Sequence, residues 1–179
     1  IELRWVRNAL DLDEWAAQID ENTRFVFGEM PSNPGLAMFD IEAVANLAHN
    51  HGIPLIVDST VATPALMRPL CHGADIVVQS LSKAMATSGF TIAGAVIARH
   101  NIPSHVGPDE MKANFALYVK LLPFRDHGPG LNPFSAMMIL NDLRSLRSKI
   151  DLMSNNALQV AQYLAQHPAV EQVFYPGLP

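Results

Sequence analysis

Short apolar runs separated by segments of helical period set the rhythm of this chain. Leu55-Ile56-Val57 and Ile76-Val77-Val78 are continuous apolar runs, the pattern of strands covered on both faces. Arg24-Phe25-Val26-Phe27 reads as an earlier strand ending in the turn-forming stretch Gly28 to Gly35, and Ile92 to Ala98 reads as a later one. Ile1 to Val6 alternates apolar and polar positions, the period of a half-buried strand. Helical segments lie between these runs. Asp11 stands as an N-cap with Glu14 three residues on, and Leu12, Trp15, Ala16 and Ile19 share one face. Asp40 caps a second helix, where Ile41, Val44, Ala45 and Ala48 recur at helical spacing until Gly52 ends it. The alternation predicts an α/β domain with a largely parallel sheet between helices. Strand order, and the direction of the Ile92–Ala98 strand, are left open by the pattern.

From Asp109 the period turns helical. Met111, Phe115, Tyr118 and Leu122 form one stripe. After the Gly/Pro-rich loop His127 to Gly130, Asn132-Pro133 begins another helix, with Ala136, Ile139, Leu140 and Leu143 expected to face inward. A last stripe, Ala157, Val160, Ala161 and Leu164, ends before His167-Pro168, and Val170 to Tyr175 reads as a strand outside the first sheet. The expected division is a large domain over residues 1–150 and the beginning of a small C-terminal domain over 151–179. Both ends fall on structured-looking segments, which predicts an excerpt from a longer protein.

Composition narrows the function. Hydrophobic residues make up 49% and charged residues 16%, the balance of a folded domain. The net charge of −5, without a run of like charge, argues against nucleic acid as the partner. Cys71 is the one cysteine, so an intrachain disulfide and a Cys-based zinc site are excluded; it is expected to be a small buried thiol in a reducing cytoplasm. No apolar stretch is long enough to span a bilayer. Neither G-x-G-x-x-G nor G-x-x-x-x-G-K-[ST] occurs. No metal site is expected: His49 and His51 read as cap or surface residues beside Gly52, and His72, His105 and His127 lack ligand spacing. Arg125-Asp126 reads as a surface ion pair.

Ligands of open parallel sheets bind at the carboxyl ends of the strands. Glu29-Met30-Pro31-Ser32-Asn33-Pro34 follows the first apolar run, Asp58-Ser59-Thr60 the second, and Ser80-Leu81-Ser82-Lys83 the third. These residue types suit pyridoxal 5'-phosphate (PLP). That cofactor needs a lysine amine for its aldehyde, an anion to keep its pyridine nitrogen protonated, and donors for its phosphate and ring hydroxyl. Lys83 offers the amine, Asp58 the anion, Ser80 and Ser82 the hydroxyls, and Asn33 a bond to the ring oxygen or the substrate. Taken singly, each also has a turn, cap or surface reading.

Three segments carry a family resemblance. Glu29-Met30-Pro31-Ser32-Asn33-Pro34 resembles E-x-P-x-N-P, and Ile56 to Pro64 resembles V-V-D-N-T-F-A-T-P. Gly73 to Lys83 resembles G-A-D-I-V-V-H-S-x-T-K. These are motifs of the Cys/Met-metabolism PLP enzymes, the transsulfuration family of cystathionine synthases and lyases, methionine γ-lyase and O-acetylhomoserine sulfhydrylase. Leu131-Asn132-Pro133-Phe134 resembles the family's L-S-P-F, and His167 to Val170 with Tyr175 to Leu178 resembles the entry to its small domain.

The resemblance implies the aspartate aminotransferase-like fold type I large domain, with its N-terminal part absent. It implies PLP held by Lys83, with Asp58 on the pyridine nitrogen, Ser80 and Ser82 on the phosphate and Asn33 by the ring oxygen. The activity implied is β/γ-replacement or elimination on a small amino-acid substrate of sulfur metabolism, leaning toward O-acetylhomoserine sulfhydrylase. A carbon–sulfur lyase and a non-catalytic fragment are the alternatives. A cytoplasmic dimer of dimers is implied for the intact protein. Ser59, Val61 and Ser82 depart from the family's Asn, Phe and Thr, and Ala84 to Gly89 replaces its Gly-Gly-His loop.

Overall fold

The computed structural model describes residues 1–86, 89 and 91–178. Four strands, β1 (Val26–Glu29), β2 (Leu55–Asp58), β3 (Ile76–Ser80) and β4 (Gly94–Ala98), form one sheet in that order. β1 runs parallel to β2 and β2 to β3, whereas β4 returns antiparallel to β3 with Ser80 opposite Gly94. This is the mostly parallel α/β sheet expected, and its antiparallel edge settles the direction of β4. The geometry has a direct consequence for the site. The carboxyl ends of β1, β2 and β3 share one edge, and the β3–β4 connection containing Lys83 starts and finishes there.

Helix α1 (Leu12–Ala17) begins at Asp11, whose carboxylate accepts the N–H groups of Asp13 and Glu14. Trp15 is buried from this helix, stacks at 5.4 Å on Phe39 and donates its indole N–H to the Ala9 carbonyl. Helix α2 (Ile41–Asn50) begins at Asp40, which accepts the Ala43 N–H, and Ile41, Val44, Ala45 and Ala48 are all buried as their spacing requires. With Val26, Leu55, Val57 and Ala74 they form the main core. Gly28 lets Phe39 press against β1: a Cβ there would lie 2.6 Å from the ring.

Helix α3 (Thr63–Leu66) and a 3-10 turn (Pro69–His72) connect β2 to β3. Cys71 in that turn is exposed, not buried as expected, because a single turn on the surface of the crossover leaves its side chain uncovered. The helical stretch after Asp109 is divided into α4 (Asp109–Ala113), α5 (Phe115–Leu121) and α6 (Pro123–His127). Asn114 breaks it by adopting φ −150°, ψ 84°, bridging to His100 and capping α5 through the Leu117 N–H. Pro123 then starts α6 at a position that needs no N–H.

Helix α7 (Pro133–Leu143) starts where Asn132 accepts the Ser135 N–H, and α8 runs unbroken from Leu146 to Ala165. Their stripes are covered only in part. Ile139 and Ala161 are buried, but Leu140 and Val160 are 66% and 57% exposed, because no described element packs over that side. Two expected strands do not form. Ile1–Val6 and Val170–Tyr175 have no ladder partner among the described residues, and alternation alone supplies no interstrand hydrogen bonds. Arg4 instead pairs with Glu2 and Asp20, and the Tyr175 hydroxyl donates to the Ser154 carbonyl.

Candidate active site

At the carboxyl edge of the sheet, short hydrogen bonds tie the three strand ends together. Glu29 and Asp58 are register partners at the ends of β1 and β2, and the Met30 N–H continues the ladder to the Asp58 carbonyl at 2.8 Å. Glu29 turns its carboxylate to the Asn33 N–H at 3.2 Å, closing the loop that presents the exposed Asn33. Asp58 is half-buried, and its Oδ1 accepts the Thr60 N–H at 2.9 Å. Thr60 Oγ1 in turn accepts the Ser80 N–H at 2.8 Å, and the Ser59 N–H donates to the Val78 carbonyl. The loop after β2 is thereby laced to the end of β3.

Thr63 holds that loop from its far end. It is fully buried at φ +58°, a conformation costly for a β-branched residue, with its N–H on the Ser59 carbonyl. The Ser59 hydroxyl, where the family pattern has Asn, is buried and finds no hydrogen-bond partner among the described residues.

Beyond β3 the chain turns tightly. The Lys83 N–H donates to the Ser80 carbonyl and the Ala86 N–H to the Lys83 carbonyl, while the Lys83 side chain is exposed. Among the described residues its ammonium meets no carboxylate within ion-pair distance, so the amine is presented rather than consumed. Ser82 is engaged differently from Ser80. Its hydroxyl donates to the Ala93 carbonyl at 3.1 Å and accepts the Ala93 N–H at 2.8 Å, pinning the turn to the start of β4. Thr87 and Ser88 of the divergent loop lie outside the described residues.

Asp58, Ser80, Ser82, Lys83 and Asn33 thus stand on segments leaving one sheet edge. Thr60 and Glu29, which carry the connecting bonds, were given no role from the sequence; their places in the two motif segments, Glu29 first and Thr60 two residues after Asp58, are the signals that could have found them. The opposite edge holds a second polar cluster. Asp75 is fully buried, accepts the Leu55 N–H and meets His49 Nε2, each at 2.8 Å, with Arg99 at 3.6 Å. His49 is therefore neither a cap nor a plain surface residue, because the buried carboxylate draws its ring inward. His51 caps α2, and its carbonyl meets His105 Nε2 at 2.6 Å. Arg125 and Asp126 form the expected exposed pair at 2.8 Å.

A mostly parallel sheet flanked by helices, with an aspartate ending one strand and a lysine on the turn after the next, is the architecture of fold type I PLP enzymes. The model of the Cys/Met metabolism PLP-dependent enzyme family matches residues 1–179, and the chain belongs to that family. It is 38% identical to L-methionine gamma-lyase of Porphyromonas gingivalis, over 93% of this chain and 39% of that protein. It is 34% identical to O-acetyl-L-homoserine sulfhydrylase of Corynebacterium glutamicum, over 99% of this chain and 46% of that one. Among solved structures, an O-acetylhomoserine (thiol)-lyase of Campylobacter jejuni carrying a pyridoxyl-lysine phosphate superposes with TM-score 0.84 at 36% identity, covering 94% of this chain and 47% of that one. The chain spans less than half the length of these relatives.

Proposed function

We propose that this chain carries the cofactor-binding centre of a PLP-dependent enzyme of sulfur amino-acid metabolism that catalyses β/γ-replacement or elimination. The observation that carries the reading is the hydrogen-bonded chain from Asp58 through Thr60 to Ser80, with Lys83 on the turn that follows. Residues 1–150 are the large cofactor domain in this reading and 151–179 begin the small one. The dimer-of-dimers assembly and cytoplasmic location rest on the family resemblance.

The residues present fit the cofactor's chemistry. Lys83 has an exposed amine to bind the aldehyde. Asp58, whose Oδ1 accepts the Thr60 N–H, has its second oxygen without a hydrogen-bond partner among the described residues, to offer to the pyridine N–H. Ser80, half-buried, offers a hydroxyl for the phosphate, whereas Ser82, engaged by the Ala93 backbone, would serve the phosphate only by giving up its bond to the Ala93 carbonyl. Asn33, on the loop closed by Glu29, offers its side-chain amide to the ring oxygen in this reading. PLP, when bound, supplies an electron sink for the substrate α-carbon. With the group bound, Lys83 would be the base that takes and returns the α-proton, and Asp58 would hold the proton on the ring nitrogen.

Similarity to O-acetyl-L-homoserine sulfhydrylases supports replacement, in which acetate leaves and a sulfur nucleophile adds. Similarity to a methionine gamma-lyase supports the second reading, elimination yielding a thiol, ammonia and a keto acid. Product analysis with O-acetylhomoserine plus sulfide, and separately with methionine, distinguishes the two.

The first experiment is absorbance of the protein with added PLP, then borohydride reduction and peptide mapping. A reduced adduct on Lys83, lost in Lys83→Ala, is the expected result. An adduct that persists at another lysine in Lys83→Ala overturns the assignment. No adduct in the parent chain favours a fragment that does not bind PLP.

A further inference from the structure

Helix α8 touches the Lys83 turn directly, although it begins more than sixty residues later in the chain. Lys149 Nζ donates to the carbonyl of Ala84, the residue after Lys83. Lys149 thereby supplies that carbonyl with a charged donor from a distant helix, and among the described residues no backbone N–H reaches it. Around this contact, Leu146 and Ile150 of α8 bury Met85, with Leu81 and Ala84 packed at the margin. One face of α8 therefore holds the turn by an apolar contact on Met85 and a charged hydrogen bond on Ala84.

The same helix has a second tether that serves as an internal comparison. Arg147 Nη1 donates to the Ala65 carbonyl of α3 at 2.9 Å, and its Nε pairs with Asp151. That bond docks α8 on the β2–β3 crossover at Ala65, which packs at the margin of the Met85 cluster, and it makes no hydrogen bond to the Lys83 turn. The two cations thus divide the work, one holding helix to helix and the other holding helix to the turn.

We propose that Lys149 is a positioning residue for Lys83, fixing the backbone of the Leu81–Met85 turn so that the Lys83 amine is presented in one place. The inference rests on Lys83 being the cofactor lysine. The turn's own hydrogen bonds, Lys83 to Ser80 and Ala86 to Lys83, fix the backbone on either side of the Lys83 Cα. The peptide that follows is fixed by α8. Covalent capture of an aldehyde depends steeply on where the amine sits; a displacement of about 1 Å can cost on the order of a hundredfold in rate. A lysine restrained by a tertiary contact is thereby better placed than one on a freely breathing turn.

The test compares the parent with Lys149→Met, Lys149→Arg and Arg147→Ala. Two quantities are read: the rate of borohydride-trapped PLP adduct at Lys83, and amide hydrogen exchange at Lys83 and Ala86. Lys149→Met is expected to slow the adduct by about tenfold or more and to speed exchange at Ala86. Lys149→Arg, which keeps a charged donor, is expected to restore the rate to within about threefold. Arg147→Ala is expected to leave both readouts near those of the parent. Parental rates in Lys149→Met, or equal slowing in Arg147→Ala, overturn the proposal, the latter because general undocking of α8 then explains the effect. If Lys149→Met does not fold cooperatively, Lys149→Gln, shorter and uncharged, takes its place with the same expected directions. Failure of the parent to form any adduct at Lys83 refutes the cofactor reading instead. Exchange at Ala86 then still decides whether Lys149 holds the turn.

Discussion

Thr60 Oγ1 accepts the backbone N–H of Ser80 at 2.8 Å, so the loop after one strand supplies the hydrogen-bond partner for the end of the next. Together with the bond from the Ser59 N–H to the Val78 carbonyl, it joins the aspartate side of the site to the lysine side. Replacing Thr60 by Val preserves shape and removes the acceptor. The Ser80 N–H then lacks its partner, at a cost of about 1–3 kcal/mol where water cannot substitute. Chemical denaturation is expected to show that loss, together with faster amide exchange at Ser80. An unchanged Ser80 exchange rate in Thr60→Val would show that this bond does not hold the loop.

Ser80 and Ser82 have the same side chain and different duties. Ser82 makes two hydrogen bonds to the Ala93 backbone, whereas the Ser80 hydroxyl is half-exposed on the site edge. Ser82→Ala is expected to lower stability by about 1–2 kcal/mol, since typical hydrogen bonds contribute about 0.5–1.5 kcal/mol each. Ser80→Ala is expected to change stability by less than about 0.5 kcal/mol, as surface substitutions do, while weakening PLP binding. Urea unfolding alongside PLP titration separates the pair. Equal stability losses would remove the distinction.

Asp75 joins β2, β3 and α2 from the edge opposite the site, through Leu55 and His49. Asp75→Ala leaves the Leu55 N–H and the His49 ring without their partner inside the fold. Leaving a buried N–H without its acceptor costs about 1–3 kcal/mol. Asp75→Asn, which keeps an acceptor oxygen, should cost less. Thermal melts of the two variants check the order, and a harmless Asp75→Ala would mean that Asp75 does not set the β2–β3 register.

Arg4 and Asp20 are the groups whose titration the fold visibly changes. The Arg4 guanidinium, 2.7 Å from Asp20 Oδ2, holds that carboxyl below its ordinary range by hydrogen bonding first, aided by the Asn22 N–H. A carboxyl with a lowered folded-state pKa stabilises the fold above its ordinary pKa, and that contribution is lost as pH falls through the lowered value. Both side chains stay more than a third open to solvent, so the effect on global stability is expected to be small and weakened by salt. Side-chain NMR titration of Asp20 should therefore move upward in Arg4→Ala. A titration identical in both proteins would place the cause elsewhere.

Local signals were legible where a residue's neighbours in sequence are also its partners in space. Asp11, Asp40 and Asn132 each cap the helix expected of them, and the apolar runs at Leu55 and Ile76 became central strands. The site chemistry was legible for a related reason. In a parallel sheet the residues after successive strands share an edge, so the order Asp58, Ser80, Lys83 already implies proximity. Glu29 and Thr60 were less visible because their value lies in bonds to Asn33 and Ser80, which no periodicity encodes.

The sequence by itself determined the α/β rhythm, the caps, the motif residues and the family. Hydrophobic period, cap chemistry and motif spacing are properties of contiguous chain, so they survive without coordinates. Tertiary structure alone decided the rest: the antiparallel return of β4, the break at Asn114, the lack of a strand at Ile1–Val6, and the contact of Lys149 with Ala84. Each depends on whether a distant segment arrives to complete a ladder or accept a bond. An alternating stretch becomes a strand only when another backbone lies beside it, and a helical lysine becomes a clamp only when a distant carbonyl comes within its reach.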